Sequence, residues 1–132
     1  MKTIIKIFIA LTFFFVSCQT KNKSKTAYDI LKTVSTDLNK KCPIQVDSIL
    51  KLENTVALPI ATFRYNYILK YDTVKYDIQE FEKSLRITTL NMAKTNPDGK
   101  IFKDLFTTLE YNFSDTIGHF LFRLVFKPDE YR

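Results

Sequence analysis

The chain has 132 residues, of which 20 are basic and 14 acidic, giving a formal net charge of +6. The basic excess lies mainly before position 26, at Lys2, Lys6, Lys21, Lys23 and Lys25, so the charge does not indicate a nucleic-acid surface, which needs a basic patch on the folded domain. One histidine, two cysteines and two glycines exclude the usual zinc ligand sets and glycine-rich phosphate loops.

The first 17 residues have the pattern of a secretory signal peptide. Lys2 and Lys6 supply a positive start, and residues 7–16 form an apolar run that only Thr12 interrupts. Secretory leaders combine these two features with small residues before the cleavage site. The run is too short for a spanning helix, which needs about 20 apolar residues. We therefore predict a leader over residues 1–17.

The segment Phe15-Val16-Ser17-Cys18 resembles the lipobox of bacterial lipoproteins. That motif most often has leucine where Phe15 stands and glycine or alanine where Ser17 stands. The resemblance implies that Cys18 receives a diacylglycerol thioether, becomes the new N-terminus and is further acylated, for example with palmitate. Two or three acyl chains anchor a protein durably, whereas a single chain holds it only marginally. An ordinary secreted protein and an uncleaved anchor are the alternatives.

Residues 18–25 form a polar, basic tether ahead of a single domain over residues 26–132. By the rules known for bacterial lipoproteins, Gln19 directs the protein to the outer membrane, because an aspartate there favours the inner membrane. The tether also lacks the acidic residues of known surface-export signals. The resemblance thus implies a cell-envelope protein on the outer membrane that faces the periplasm.

Cys42 is the second cysteine and has no partner if Cys18 is lipidated. A buried cysteine behaves as a small apolar side chain, which suits the end of a helix. The alternative is a reactive thiol, because Lys40 and Lys41 would lower the pKa of an exposed thiol beside them.

The first half of the domain predicts one helix followed by strands. Thr26 and Asp29 have the spacing of a capping box, and Pro43 ends the helix. The helical apolar positions are Ala27, Ile30, Leu31, Val34 and Leu38. A strand is predicted over residues 45–52, followed by an extended segment over 55–58. The next strand shows the two-residue alternation of a half-buried strand, with Phe63, Tyr65, Tyr67, Leu69 and Tyr71 on one face.

The second half predicts a helix and a β-hairpin. Asp77 caps the helix, whose inner stripe is Ile78, Phe81, Leu85, Thr88 and Met92. The turn signal Asn96-Pro97-Asp98-Gly99 ends it. Strands are predicted over residues 105–113 and 120–126, followed by a polar tail over 129–132.

This order of helix, strand, strand, helix, strand, strand predicts an α+β fold, with a four-stranded antiparallel sheet and helices packed on one face. The order is similar to that of small α+β lipoprotein domains, including PepSY-like and cystatin-like ones. Tyr65-Asn66-Tyr67 is echoed by Tyr111-Asn112-Phe113, which raises the hypothesis of an α-β-β duplication; generic strand chemistry is the alternative.

No motif of catalysis, metal binding or cofactor binding is present in the sequence, and His119 is expected on a solvated strand face. The outer face of the sheet is the candidate binding surface, through Arg64, Asn66, Lys70, Arg123 and Lys127. Tyrosine and arginine are favoured at binding hot spots, although any open sheet face carries polar side chains. We therefore predict a non-enzymatic accessory module that binds a protein or peptide in the envelope. The alternatives are a carrier of a small apolar ligand, and an envelope enzyme with an unrecognised site.

Overall fold

The computed structural model describes residues 25–72, 74–75 and 77–132, so the predicted leader and nearly all of the tether lie outside the described residues. The elements are α1 (Ala27–Asn39), β1 (Ile44–Gln45), β2 (Leu50–Leu58), β3 (Thr62–Leu69), α2 (Ile78–Thr95), a 3₁₀ turn (Pro97–Gly99), α3 (Lys100–Asp104), β4 (Thr108–Ser114), β5 (Phe120–Phe126) and α4 (Pro128–Tyr131). Within this described part, no helix is both long enough and apolar enough to cross a bilayer.

Helix α1 begins as the sequence predicts. The backbone N–H of Asp29 donates to the Thr26 hydroxyl at 3.2 Å, and the N–H of Thr26 donates to the Asp29 carboxylate at 3.1 Å. This reciprocal pair satisfies two donors that the helix leaves unpaired. The helix docks on β2 because the Ser35 hydroxyl and the Asn39 amide both donate to the Thr55 carbonyl, at 2.9 and 2.8 Å.

The α+β class is confirmed, but the predicted four-stranded antiparallel sheet is wrong in two respects. The sheet has five strands in the order β1-β2-β3-β4-β5, and β3 pairs with β4 in parallel. The predicted strand over residues 45–52 is divided between β1 and β2, because Asp47 accepts the N–H groups of Ile49 and Leu50 and closes a turn. The parallel pair requires a long crossover, which α2 and α3 supply.

Helices α1, α2 and α3 contact one face of the sheet. Phe102 of α3 lies 5.0 Å from the Phe63 ring, and Phe81 of α2 lies 6.4 Å from the Phe122 ring. The inner stripe of α2 differs from the predicted one in its second half. Thr89 and Ala93 face inward, whereas Thr88 and Met92 are exposed. The 3.6-residue periodicity continues the stripe from Phe81 and Leu85 in steps of four residues, which leads to positions 89 and 93.

The predicted polar tail is wrong, because residues 128–131 form α4 and return to the core. Tyr131 is 1% exposed, and its hydroxyl donates to the carbonyl oxygen of Thr107. Glu130 accepts from Arg86 of α2 at 3.0 Å. The C-terminus is therefore a structural element that joins the segment before β4 to α2.

The two echoed tripeptides lie side by side. Tyr65 is opposite Tyr111 and Tyr67 is opposite Phe113 in the parallel register, with ring centroids 5.0 and 5.4 Å apart. However, β3 is the last strand before the crossover and β4 is the first after it, so the tripeptides occupy non-equivalent places. The geometry gives the duplication hypothesis no support and explains the echo as stacking of aromatic side chains across a parallel strand pair.

A candidate binding groove over the sheet tyrosines

The predicted binding residues do not form one cluster. Arg64, Asn66 and Arg123 share the outer face of β3 and β5. Lys70 follows the end of β3, whereas Lys127 follows the end of β5 at the opposite end of the sheet. Strands of seven residues rise about 3.3 Å per residue, so these two lysines lie roughly 20 Å apart along the strands.

On the outer face the polar groups are largely paired with one another. Arg64 donates to Glu110 at 2.7 Å, and Arg123 donates to Asn112 at 2.7 Å. Asn66 donates to the side-chain oxygen of Asn54 at 2.7 Å. These hydrogen bonds join side chains of neighbouring strands and stabilise the sheet. They therefore leave fewer polar groups free to bind a ligand.

The opposite face of the same two central strands forms an open groove, which we call the tyrosine groove. Its floor is Tyr65, Tyr67 and Tyr111. Its walls are Val34 and Leu38 of α1, Lys41 just after α1, Met92 and Ala93 of α2, and the segment from Asn96 through Gly99 to Phe102. It consists of two adjoining depressions of about 180 and 280 Å³. It exists because α1 packs over β2 and α2 packs toward β5.

The tyrosine hydroxyls of the floor have no partner among the described residues. Thr107 Oγ1 is the only side-chain polar atom of that part of the chain that is both fully buried and unpaired, so the three hydroxyls reach solvent in the groove. Burial raises the pKa of Tyr67 to about 12, and the neighbouring Cys42 adds to this rise. Burial also raises the pKa of Tyr65 and Tyr111 well above the usual tyrosine range. The floor is thus a neutral, mainly apolar surface with donor groups at its top.

These pKa values predict a loss of stability in alkali. A tyrosine whose folded pKa exceeds its unfolded value of about 10 stabilises the fold below that pH and loses this contribution as pH rises through the folded pKa. We expect the free energy of unfolding by urea to be constant near neutrality and to fall steeply from about pH 10 to 12. Tyr67→Phe should make the fall shallower, and an equal slope in both proteins would contradict the assignment.

Cys42 fits the interpretation of a partly buried apolar side chain. Burial raises the pKa of its thiol, which is opposite in direction to the lowering that the alternative of a reactive thiol requires. Lys40 instead donates to Asp37 at 2.7 Å, and this bond lowers the pKa of the Asp37 carboxyl. The thiol therefore lacks the electrostatic surroundings of a reactive cysteine.

His119 is solvated, as expected. It follows the turn between β4 and β5, and its Nδ1 lies 3.2 Å from a carboxylate oxygen of Asp115. That carboxylate also accepts the N–H groups of Ile117 and His119, which marks a turn motif. In the described part of the chain no three histidine, cysteine, aspartate or glutamate side chains cluster closely enough to hold a metal ion.

A larger depression of about 520 Å³ lies at the end of the sheet near Lys70, between Tyr71, Asp72 and Asp115. Its lining residue Asp72 directly precedes position 73 in the sequence, and position 73 lies outside the described residues. We therefore take the tyrosine groove, which described residues surround, as the candidate site.

Comparisons with solved structures find this fold in two type II secretion pilotins and in a secreted protein. The pilotin EpsS of the Vibrio vulnificus type 2 secretion system is 10% identical, with a TM-score of 0.66 over 80% of this chain and 92% of that one. The type II secretion pilotin AspS of Vibrio cholerae is 11% identical, with a TM-score of 0.61 over 79% and 91%. A Pseudomonas aeruginosa protein classed as secreted is 10% identical, with a TM-score of 0.70 over 80% and 93%.

No family model matches the sequence, and no curated protein matches it. At such low identity the likeness establishes a shared fold, and function has to be argued from the site itself.

Proposed function

We propose that this protein is a lipid-anchored, non-enzymatic accessory protein of the bacterial cell envelope, and that its tyrosine groove binds a short segment of an envelope protein. The observation that carries the proposal is the unfilled groove between α1 and α2. Two proteins that share the fold are type II secretion pilotins, which supports an accessory role in the envelope. Cys18 supplies the anchor, and the outer membrane with the domain facing the periplasm is the proposed location.

The chemistry of the groove suits a polypeptide. Stacked rings form a closely packed aromatic floor, with Tyr65 and Tyr111 nearly parallel at 10°, and large aromatic side chains contribute much of the energy of protein interfaces. The unpaired hydroxyls offer donors to backbone carbonyl groups. Lys41 and Asp98 at one rim provide charges of both signs, as the rims of protein interfaces commonly do.

The two rival functions are less well supported by this geometry. A carrier needs an enclosed cavity that buries most of its ligand, whereas both depressions of the groove are open to solvent. An enzyme needs an acid, base or nucleophile beside its substrate. The titratable residues of the floor are tyrosines that burial keeps protonated. The neighbouring acids Glu80 and Glu82 are poorly placed to act as a catalytic pair, because they lie about 200° apart around α2.

The outer face is retained in the proposal as a second contact surface. Arg64, Asn66 and Arg123 lie on it, and Val56 beside them is 39% exposed. Because most of its polar groups are paired across strands, we expect it to contribute less affinity than the groove.

Site-specific photo-cross-linking tests the proposal. Met92 and Ile87 are both exposed apolar residues of α2, at 62% and 66%, but they lie about 140° apart around the helix and only Met92 lines the groove. A photoreactive phenylalanine analogue at position 92 should form an adduct with one envelope protein in intact cells. The same analogue at position 87 should not.

The adduct at position 92 can then be mapped to a partner segment, and the corresponding peptide should bind the wild-type groove. Met92→Arg should weaken that binding at least roughly tenfold, since it places a charge against the apolar floor, whereas Ile87→Arg should not. Equal adducts at both positions would overturn the groove as the site. An adduct of lipid mass alone would favour the carrier.

A further inference from the structure

Two large apolar side chains stand out at one end of the sheet. Ile60, in the turn between β2 and β3, is 94% exposed, and Phe106, just before β4, is 59% exposed. The two segments are adjacent, because the N–H of Thr108 donates to the carbonyl of Ala61 at 2.8 Å. We call this end, with Ile60 and Phe106, the anchor pole.

Both residues are held in a backbone conformation that their side chains disfavour. The φ angle is 59° at Ile60 and 51° at Phe106, and a branched or bulky residue at positive φ is an outlier. Glycine or asparagine would adopt the same backbone more readily. Since neither side chain is buried in the core of the described domain, core packing does not explain why these positions carry isoleucine and phenylalanine.

Helix α1, which the tether precedes in the sequence, begins toward this same end. Asn39 near the end of α1 contacts Thr55, and the chain then continues to Ile44, which pairs with Leu52. Helix α1 therefore runs from the Leu58 end of β2 toward its Leu50 end. Its first residue, Ala27, lies toward the anchor pole.

The number of residues in the tether limits how far this end can lie from a lipid attached to Cys18. Residues 19–25 are seven residues, which span at most about 25 Å when fully extended. Apolar side chains that project from a surface insert into the boundary between headgroups and acyl chains, and neighbouring cations favour anionic headgroups. The Arg132 guanidinium lies 3.9 Å from the centroid of the Phe106 ring, so a cation is present beside the apolar pair.

We infer that the anchor pole rests on the lipid bilayer, with Ile60 and Phe106 inserted among the lipid headgroups, so that the domain is held in one orientation on the membrane. This inference rests on the proposed acylation of Cys18. It assigns the bilayer, and not a protein, as the partner of this end.

The opposite end of the sheet provides a matched control. Ile117, in the turn between β4 and β5, is 76% exposed and lies at the other end of the strands, since Ser114 and Phe120 pair there. The opposite end also has an exposed phenylalanine beside a cation, because Phe120 is 58% exposed and the Arg123 guanidinium lies 6.0 Å from the centroid of its ring. The two ends therefore carry similar side chains, and the end at which α1 begins distinguishes them.

Tryptophan fluorescence tests the orientation, because the natural chain has no tryptophan. Phe106→Trp and Ile117→Trp each create a single reporter in the acylated protein, purified from bacterial membranes. Each is reconstituted into vesicles of phosphatidylethanolamine and phosphatidylglycerol with brominated acyl chains. We expect roughly twofold quenching of the reporter at position 106 and almost none at position 117, since only a residue at the acyl boundary contacts the bromines.

Intact mass of the same samples separates the two ways of failing. If the acyl chains are present and position 117 is quenched as strongly as position 106 or more strongly, the orientation is overturned while the anchor stands. If the acyl chains are absent, the anchor and the orientation both fail. Ile60→Asn in the Phe106→Trp background should reduce the quenching without unfolding the domain, which circular dichroism checks; unchanged quenching would remove Ile60 from the contact.

Discussion

Replacing Tyr131 with alanine should lower the free energy of unfolding by about 4 kcal/mol, the loss typical of truncating a buried aromatic side chain. Tyr131 is 1% exposed, and its hydroxyl donates to the Thr107 carbonyl, with a weaker bond of 3.4 Å to the Phe102 carbonyl. The substitution removes both the ring and the donor. Small domains have only about 5–15 kcal/mol of stability, so a large part of the stability would be lost.

Two controls separate the ring from the hydroxyl and from nonspecific effects. Tyr131→Phe keeps the ring and leaves the Thr107 carbonyl without its donor, so a loss of about 1–2 kcal/mol is expected. Tyr28→Ala truncates an exposed tyrosine of α1 and should change stability by less than about 0.5 kcal/mol. Urea unfolding measures all three variants. A loss below about 1 kcal/mol for Tyr131→Ala would show that α4 does not hold the core together.

The same residue shows where prediction from the sequence stops. Nothing in Asp129-Glu130-Tyr131-Arg132 has an apolar period, so the segment was expected to be a polar tail. One signal was available, because proline is favoured at the first position of a helix and Pro128 begins α4. A single buried side chain in a four-residue helix is nevertheless decided by its tertiary contacts, which local periodicity does not contain.

The elements that the sequence predicts well carry strong local signals. The capping box at Thr26, the N-cap at Asp77 and the alternation along β3 and β5 are all confirmed, because each depends on neighbours within a few positions. Strand pairing is different. Whether β3 meets β4 in parallel depends on the path of the whole crossover through α2 and α3, and the aromatic alternation is the same for either direction.

The candidate site also has some features that the sequence predicts and others that it does not. The sequence predicts that Tyr65 and Tyr67 share one face of their strand, but it assigns no face to Tyr111. Whether the helices cover the face completely depends on the spacing of α1 and α2, which residue pattern does not determine. The sequence predicts a binding surface on the outer face, but it does not predict cross-strand pairs such as Arg64 with Glu110, because these depend on the register.

Cys18→Ala should abolish acylation and change the mass of the protein accordingly. We expect the wild-type protein from bacterial membranes to have the mass of residues 18–132 plus two or three acyl chains, and the variant to have none of the added lipid. The proposed thioether is on this sulfur, and each buried methylene of an attached chain would contribute about 0.8 kcal/mol to membrane binding. We therefore expect the variant to lose the durable membrane anchoring that the acyl chains would provide.

The second cysteine provides the matched control. The chain has two cysteines in all, and Cys42 is a partly buried thiol whose pKa is raised by burial, so Cys42→Ala should keep the full lipid mass. Loss of the adduct in both variants, or in neither, would contradict the assignment of Cys18. A wild-type protein without acyl chains would leave Cys18 free for disulfide chemistry and would remove the basis for an envelope partner that is reached from the membrane.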